Sequence, residues 1–316
     1  MSFRVVDLAQ PPPGNEPCSE TGILIAWGDT SRPGAGWWAE RSTFVLTEIE
    51  SDDRRAVRVE SIPRTLSEIE ERLSRWPQAA AVCDDVLRTV DVTAPASGGV
   101  ITESLAYSTL QSGTEFARWL TDRGPCTPVS CVDPVLVERT DDRLDVRLNR
   151  PRRHNAFSTG MRAALLDALL IAELDNSIAE VVLSGTGQSF CSGGDLAEFG
   201  TFADPASAHL ARTRFSPALS LDALTQRLGS EVRAEIHGQV LGSGLEMAAF
   251  CGHVVCSGDA VLGLPELQLG LIPGAGGTIS VTRRIGRWRT AYLVLTGRTV
   301  DAATALQWGL VDAIDR

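Results

Sequence analysis

The apolar and polar positions fall into two patterns along the chain. From Thr65 onward Leu66, Ile69, Leu73 and Trp76 recur at helical spacing, Pro77 opens a second helix through Ala81, Val82, Val86 and Leu87, and a third helical stretch runs over 101–120 with Gly113 as its break. A stretch rich in turn formers, 124–134, marks the best domain boundary. After it the pattern is α/β: 145–149 alternates as a strand, 161–174 reads as an amphipathic helix and 180–184 as a short apolar strand, together a crossover unit. A strand over 231–237 runs into a glycine-containing turn and a helix that begins with Leu245; strands at 254–257 and 261–264 precede helices at 275–284, 287–296 and 301–307. The polar stretch 200–220 reads as a long irregular loop, and long loops in compact domains often serve as lids.

Ahead of the helical stretch, strand candidates at 22–27 and 42–49 flank a Gly/Pro-rich break at 31–36. The expected organisation is a small irregular β-containing segment over 1–56, a helical segment over 57–130 and an α/β core over 131–316.

Composition narrows the function. With 316 residues and 43% hydrophobic content the chain can bury a core as one large or two small domains. A net charge of −11 leaves no electrostatic footprint for nucleic acid or an anionic membrane. All 29 basic residues are Arg, which excludes a Schiff-base lysine, a pyridoxal-phosphate anchor and a phosphate-loop lysine. Apolar runs fall short of the roughly 20 residues of a membrane-spanning helix and the opening residues lack a signal-like pattern, so a cytoplasmic location is expected. Seven scattered Cys fit reduced thiols. The run Cys251–Cys256 lacks the second ligand pair of a zinc site, so no metal is expected.

Four features carry candidate chemistry. The Gly-Ser-Gly turn at 242–244 precedes a helix, and N–H groups there are able to donate to an oxygen that becomes negative during a reaction; a glycine-permitted turn with nothing bound fits equally. The turn Ser189–Asp195 offers a second N–H at Gly194, although Gly-Gly-Asp is also an ordinary turn signal. Glu246 and Glu266 each open a helical segment among apolar neighbours, a setting that serves either a helix dipole or a carboxyl raised toward general acid–base use. The Gly-rich run 270–278 matches neither phosphate fingerprint, and 242–244 lacks the spacing of a serine-nucleophile elbow.

Together, Ser189–Leu196, Ile236–Glu246 and Leu264–Thr278 resemble the crotonase (enoyl-CoA hydratase/isomerase) superfamily in words, order and spacing, over about residues 136–315. The stretch 148–156 looks like that family's opening strand and loop. The resemblance implies an α/β fold: a crotonase-like spiral of ββα units with helical segments packed around it. It implies an oxyanion hole at the N–H groups of Gly194 and Ser243 for an acyl-CoA thioester, and Glu246 and Glu266 as the two glutamates of a hydratase. CoA contacts would fall on Arg152, His154, Ala156 and Ser192. No metal or redox cofactor is required, since the CoA thioester is the substrate, and a homotrimer or hexamer is expected. The implied activity is hydration of a trans-2-enoyl-CoA to a 3-hydroxyacyl-CoA, with an isomerase or CoA-thioester hydrolase of the same fold, or a non-catalytic acyl-CoA-binding subunit, as alternatives. Members of the family usually continue for several helices beyond the Gly309–Asp312 strand; here 57–90 and 98–123 look similar to that tail, so the resemblance points to C-terminal helices permuted to the N-terminal side, with an unrelated N-terminal helical module as the alternative.

Overall fold

The computed structural model describes residues 3–13, 22–202 and 204–315. The first sheet contains β1 (Arg4–Asp7), β2 (Leu24–Trp27), β3 (Phe44–Thr47) and β4 (Ala56–Arg58), all parallel and in sequence order, with α1 (Ala35–Arg41) between β2 and β3. The segment expected to be irregular is therefore a regular four-stranded sheet. Two of its strands and its helix carry too few residues to show a period, and only the apolar cores of β2 and β3 stand out in sequence. Val6, Leu8, Leu24, Ala26, Ala35, Ala39, Val45 and Ala56 close a small core between α1 and this sheet.

Four helices follow: α2 (Ile62–Arg75), α3 (Pro77–Thr89), α4 (Ala96–Gln111) and α5 (Thr114–Arg123). The Ser61 side chain caps α2, which starts three residues before the helical pattern does, and Pro77 opens α3 as the sequence pattern implies. The turn-rich stretch 124–134 carries no regular element.

Beyond it lie β5 (Val135–Thr140), β6 (Arg143–Leu148), α6 (Thr159–Leu174), β7 (Glu180–Gly185), α7 (Pro205–Arg214), α8 (Pro217–Leu228), β8 (Val232–Ile236), β9 (Gln239–Leu241), α9 (Ser243–Ala248), β10 (His253–Ser257), β11 (Val261–Gly263), α10 (Gly277–Thr296), β12 (Val300–Asp301), α11 (Ala302–Trp308) and β13 (Ala313–Asp315). Six strands form a sheet in the order β13-β10-β8-β7-β6-β5, parallel except for the β5–β6 hairpin. The shorter strands β12-β11-β9 form a second layer. The chain thus places one strand in the large sheet, the next in the small one, and then a helix. This is the expected ββα spiral, with helices packed around it.

The stretch 200–220 is not an irregular lid. Asp204 caps α7 through the Ser207 N–H at 2.8 Å, Pro205 and Pro217 open the two helices, and Ala218, Leu221 and Leu224 give α8 an apolar face at helical spacing. Helix α7 lies against α4 and α8 against α6. Helix α9 begins at Ser243, two residues earlier than the pattern suggests, and the expected pair 275–284 and 287–296 stands as the two helical halves of α10, which meet at the non-helical Gly286.

A single apolar core joins α2–α4, the six-stranded sheet and α10. Helix α10 is its axis, contacting α2, α3, α4, α9 and strands β3 and β4. The kink aims its second half at the first sheet, where Arg287 Nη1 donates to Ser42 O at 3.0 Å and Trp288 Nε1 to Ala39 O at 3.1 Å. Gly286 has φ 80° and ψ 158°, a region essentially closed to other residues, and a methyl group there would meet the Arg54 guanidinium at 2.8 Å. Gly286→Ala is expected to cost about 1–3 kcal/mol, seen as a lower urea midpoint at an unchanged denaturant slope.

Candidate active site

A cavity of about 330 Å³ opens between the spiral and helices α4, α7 and α8. Its walls include Gly194, Ser243, Glu246 and Glu266 together with Tyr107, Phe199 and Met247. The four candidate residues from three separated sequence words therefore share one chamber.

Two backbone links bring the loops together. Cys191 N donates to Gln239 O at 3.1 Å and Leu241 N to Cys191 O at 2.9 Å, which extends the small sheet by one residue and sets the Gly194 turn beside the Ser243 turn. The approach leaves no room for a side chain at Gly244, where a Cβ would lie 2.6 Å from the Cys191 carbonyl oxygen. The Gly194 turn is also tied to 157 by the bonds Phe157 N to Gly193 O and Asp195 N to Phe157 O, at 2.8 and 2.9 Å. The N–H groups of Gly194 and Ser243 donate to no acceptor among the described residues.

Beneath the turn, Asp195 pairs with Arg150 at 2.8 Å, both side chains buried, and also receives Arg153 at 3.4 Å. Burial alone would raise the Asp195 pKa; the Arg150 hydrogen bond and charge hold it below the usual carboxylate range. Asn155, fully buried at φ 53°, accepts from Arg150 N and donates to the carbonyls of Thr186 and Ser189. These three residues fix the loop, and the sequence reading gave none of them a role although all lie within the stretches 148–156 and 189–195.

The expected CoA residues lie on two touching loops. Ser192 N donates to His154 O at 2.9 Å, and His154 Nδ1 lies 3.0 Å from Ser189 Oγ. Arg152 and His154 are exposed, Ala156 is buried, and Ser192 lines the cavity.

The two glutamates differ in their partners. Glu246, 2% exposed, accepts with Oε2 from Ala275 N at 2.7 Å and Gly277 N at 2.8 Å. Glu266, 8% exposed, leaves its buried Oε2 without a hydrogen-bond partner. A third carboxylate, which the sequence reading missed, enters from α4: Glu103 is 1% exposed and accepts from Gly276 N at 2.7 Å, Thr278 N at 2.8 Å and Thr278 Oγ1 at 2.7 Å. Its signal was present, because Val100, Glu103, Tyr107 and Leu110 form the buried stripe of α4 and only one of them bears a charge.

Burial raises all three pKa values. It pushes Glu266 up to about 8, against a hydrogen bond from its own backbone and with the Glu103 charge adding. It pushes Glu103 up to about 7, opposed by the Thr278 and Gly276 bonds and by Arg212. Glu246 rises well above the usual range through burial and then the charges of Glu266 and Glu103, opposed by its two N–H bonds. Such a group of carboxyls shares its protons near neutral pH and is suited to passing them.

A family model for enoyl-CoA hydratase/isomerase matches residues 141–316. Over 180 residues the chain is 35% identical to a 2,3-dehydroadipyl-CoA hydratase of Escherichia coli, covering 57% of this chain and 68% of that protein. It is 33% identical over 172 residues to a mevalonyl-coenzyme A hydratase of Aspergillus fumigatus, covering 54% and 62%. A solved enoyl-CoA hydratase/carnithine racemase from Magnetospirillum magneticum superposes with a TM-score of 0.53 at 28% identity, covering 58% of this chain and 68% of that one. The match thus leaves about a third of each relative's length without a counterpart in sequence order.

The Glu266 pKa also governs stability. Folding raises it from 4.5 to about 8, so its contribution is fully present below pH 4.5 and is lost as pH climbs through 8. Glu266→Gln removes that loss. Its melting temperature is expected to match the parent near pH 5 and to exceed it near pH 8.5, by a stability difference of roughly 2–4 kcal/mol.

Proposed function

Because the chain belongs to the enoyl-CoA hydratase/isomerase family, we propose that it adds water across a trans-2-enoyl-CoA to give the 3-hydroxyacyl-CoA. The observation that carries this reading is the pairing of two buried carboxylates with two uncommitted backbone N–H groups in one cavity. Hydration needs these parts: a base for water, a proton for carbon, and donors for the thioester oxygen as enolate charge builds.

In this reading the N–H groups of Gly194 and Ser243 receive the thioester oxygen. In its charged form, which the hydrogen bonds at Oε2 support against burial, Glu246 takes a proton from water as the water oxygen bonds to C3. Glu266, whose Oε2 has no hydrogen-bond partner, carries the proton that bonds to C2. The product has gained one water, and a proton passing from Glu246 to Glu266 restores the pair. The exposed Arg152 and His154, with Ala156 and Ser192 behind them, would meet the CoA moiety at the cavity's edge. The chemistry needs no metal or redox group.

Helices α2–α5 take, in the same proposal, the place of the family's C-terminal helices. They precede the matched region, α2–α4 pack on α10, and α4 lines the cavity, while about a third of each relative's length is unmatched. A closed trimer or hexamer accords with exposed Leu170, Ile171 and Leu174 on α6. No helix among the described residues is long and apolar enough to cross a membrane, which accords with a cytoplasmic enzyme.

Crotonyl-CoA is expected to lose its enoyl-thioester absorbance with the protein, giving a product heavier by one water. Glu246→Gln and Glu266→Gln should each lower kcat by about 10²–10⁴ while acyl-CoA binding persists. Full activity in either variant would refute the two-carboxylate mechanism.

A further inference from the structure

Four consecutive N–H groups at the start of α10 are divided between two buried carboxylates. Those of Ala275 and Gly277 go to Glu246, and those of Gly276 and Thr278 go to Glu103. Glu103 stands on α4, outside the region that the family model matches, and the hydroxyl of Thr278 gives it a third donor. No side chain of α10 caps the helix itself. The turn that holds Glu246 is thus held from its other side by Glu103.

We infer that Glu103 is a positioning residue, which locks the 275–278 turn onto Glu246 and sets the protonation of that carboxyl through its own charge. The inference rests on the hydratase reading only for its kinetic form.

Electrostatics and geometry point the same way. A carboxylate that accepts from three N–H and O–H donors is held in its charged form, and a like charge nearby disfavours charge on its neighbour. Burial works against the charge on Glu103, and the balance leaves it titrating near neutral pH. The other titratable and charged groups around the pair are Glu266, Tyr107 on α4, Arg212 on α7, Cys83 on α3 and Cys191. Arg212 lies over the Tyr107 ring at 4.4 Å and bonds to Ser104 Oγ and Gln111 Oε1, both at 3.1 Å, so the cation nearest Glu103 is itself fixed to α4.

Two variants separate positioning from plain support. Glu103→Gln keeps the shape and removes the charge, while turning an amide nitrogen toward an N–H donor. Thr278→Val removes only the hydroxyl bond and keeps the backbone donor. Carbon-13 carboxyl NMR of glutamate-labelled protein, with Glu246→Gln to assign the resonance, reads the Glu246 titration without any turnover. Its midpoint is expected to fall by about one pH unit in Glu103→Gln, and by less in the same direction in Thr278→Val. The acidic limb of kcat/KM for crotonyl-CoA should move with it.

A Glu246 midpoint unchanged in folded protein of both variants overturns the inference; if Glu103→Gln does not fold, the Thr278→Val midpoint decides. A Glu246 midpoint that moves in a protein without hydratase activity removes the hydratase reading and leaves the role of Glu103 standing.

Discussion

Three carboxylates cannot be buried side by side without donors to hold them, and the turn that opens α10 supplies most of those donors. Residues 275–278 give four successive N–H groups and one hydroxyl to Glu246 and Glu103. Charge brought out of water costs several kcal/mol unless hydrogen bonds replace its hydration. A helix start is suited to the task, because its first N–H groups have no partners within the helix. Much of the architecture follows from this need: α9 must deliver one carboxylate to the turn, α4 another, and α10 must be anchored along its length to keep the turn still.

The turns that carry Gly194 and Ser243 are built without spare charge. There the backbone does the positioning, through the short sheet extension at Cys191 and the buried Arg150–Asp195 pair under the Gly194 turn. Removing one member of such a pair strands the other in a poorly solvating interior, a cost of about 3–5 kcal/mol. The cavity thus sets carboxyls that exchange protons beside backbone donors that cannot lose theirs: Ser243 and Glu246 share α9, and a Cβ at Gly242 would lie 2.4 Å from Glu266 Oε1. In the proposed reaction an acyl thioester would place its oxygen at the donors and its reacting carbons at the carboxyls.

The sequence made the spiral legible because its strands and turns are written in local words: glycines at fixed spacing, short apolar strands, helix openings. Glu246 and Glu266 could be picked from such words, and the structure sets both in one cavity with Gly194 and Ser243. Glu103 could not be picked in this way. Its meaning comes from a contact between α4 and α10, and within α4 it is only a charged residue on an apolar stripe. Of the first sheet only β2 and β3 were legible, through their apolar runs, while β1 and β4, of four and three residues, were too short to display alternation. Helices α7 and α8 were hidden by polar residues that turn out to face outward or to cap.

The order of elements along the chain has a consequence for how the molecule is made. Glu103 meets Gly276 and Thr278 across separations of 173 and 175 residues, and Arg287 meets Ser42 across 245. Contacts so distant in sequence close large loops and slow folding. During synthesis the apolar faces of α2, α3 and α4 leave the ribosome long before α10 exists to cover them. Those helices must therefore wait as a partly exposed, aggregation-prone intermediate, and the last stretch of the core to be translated decides whether the first can settle.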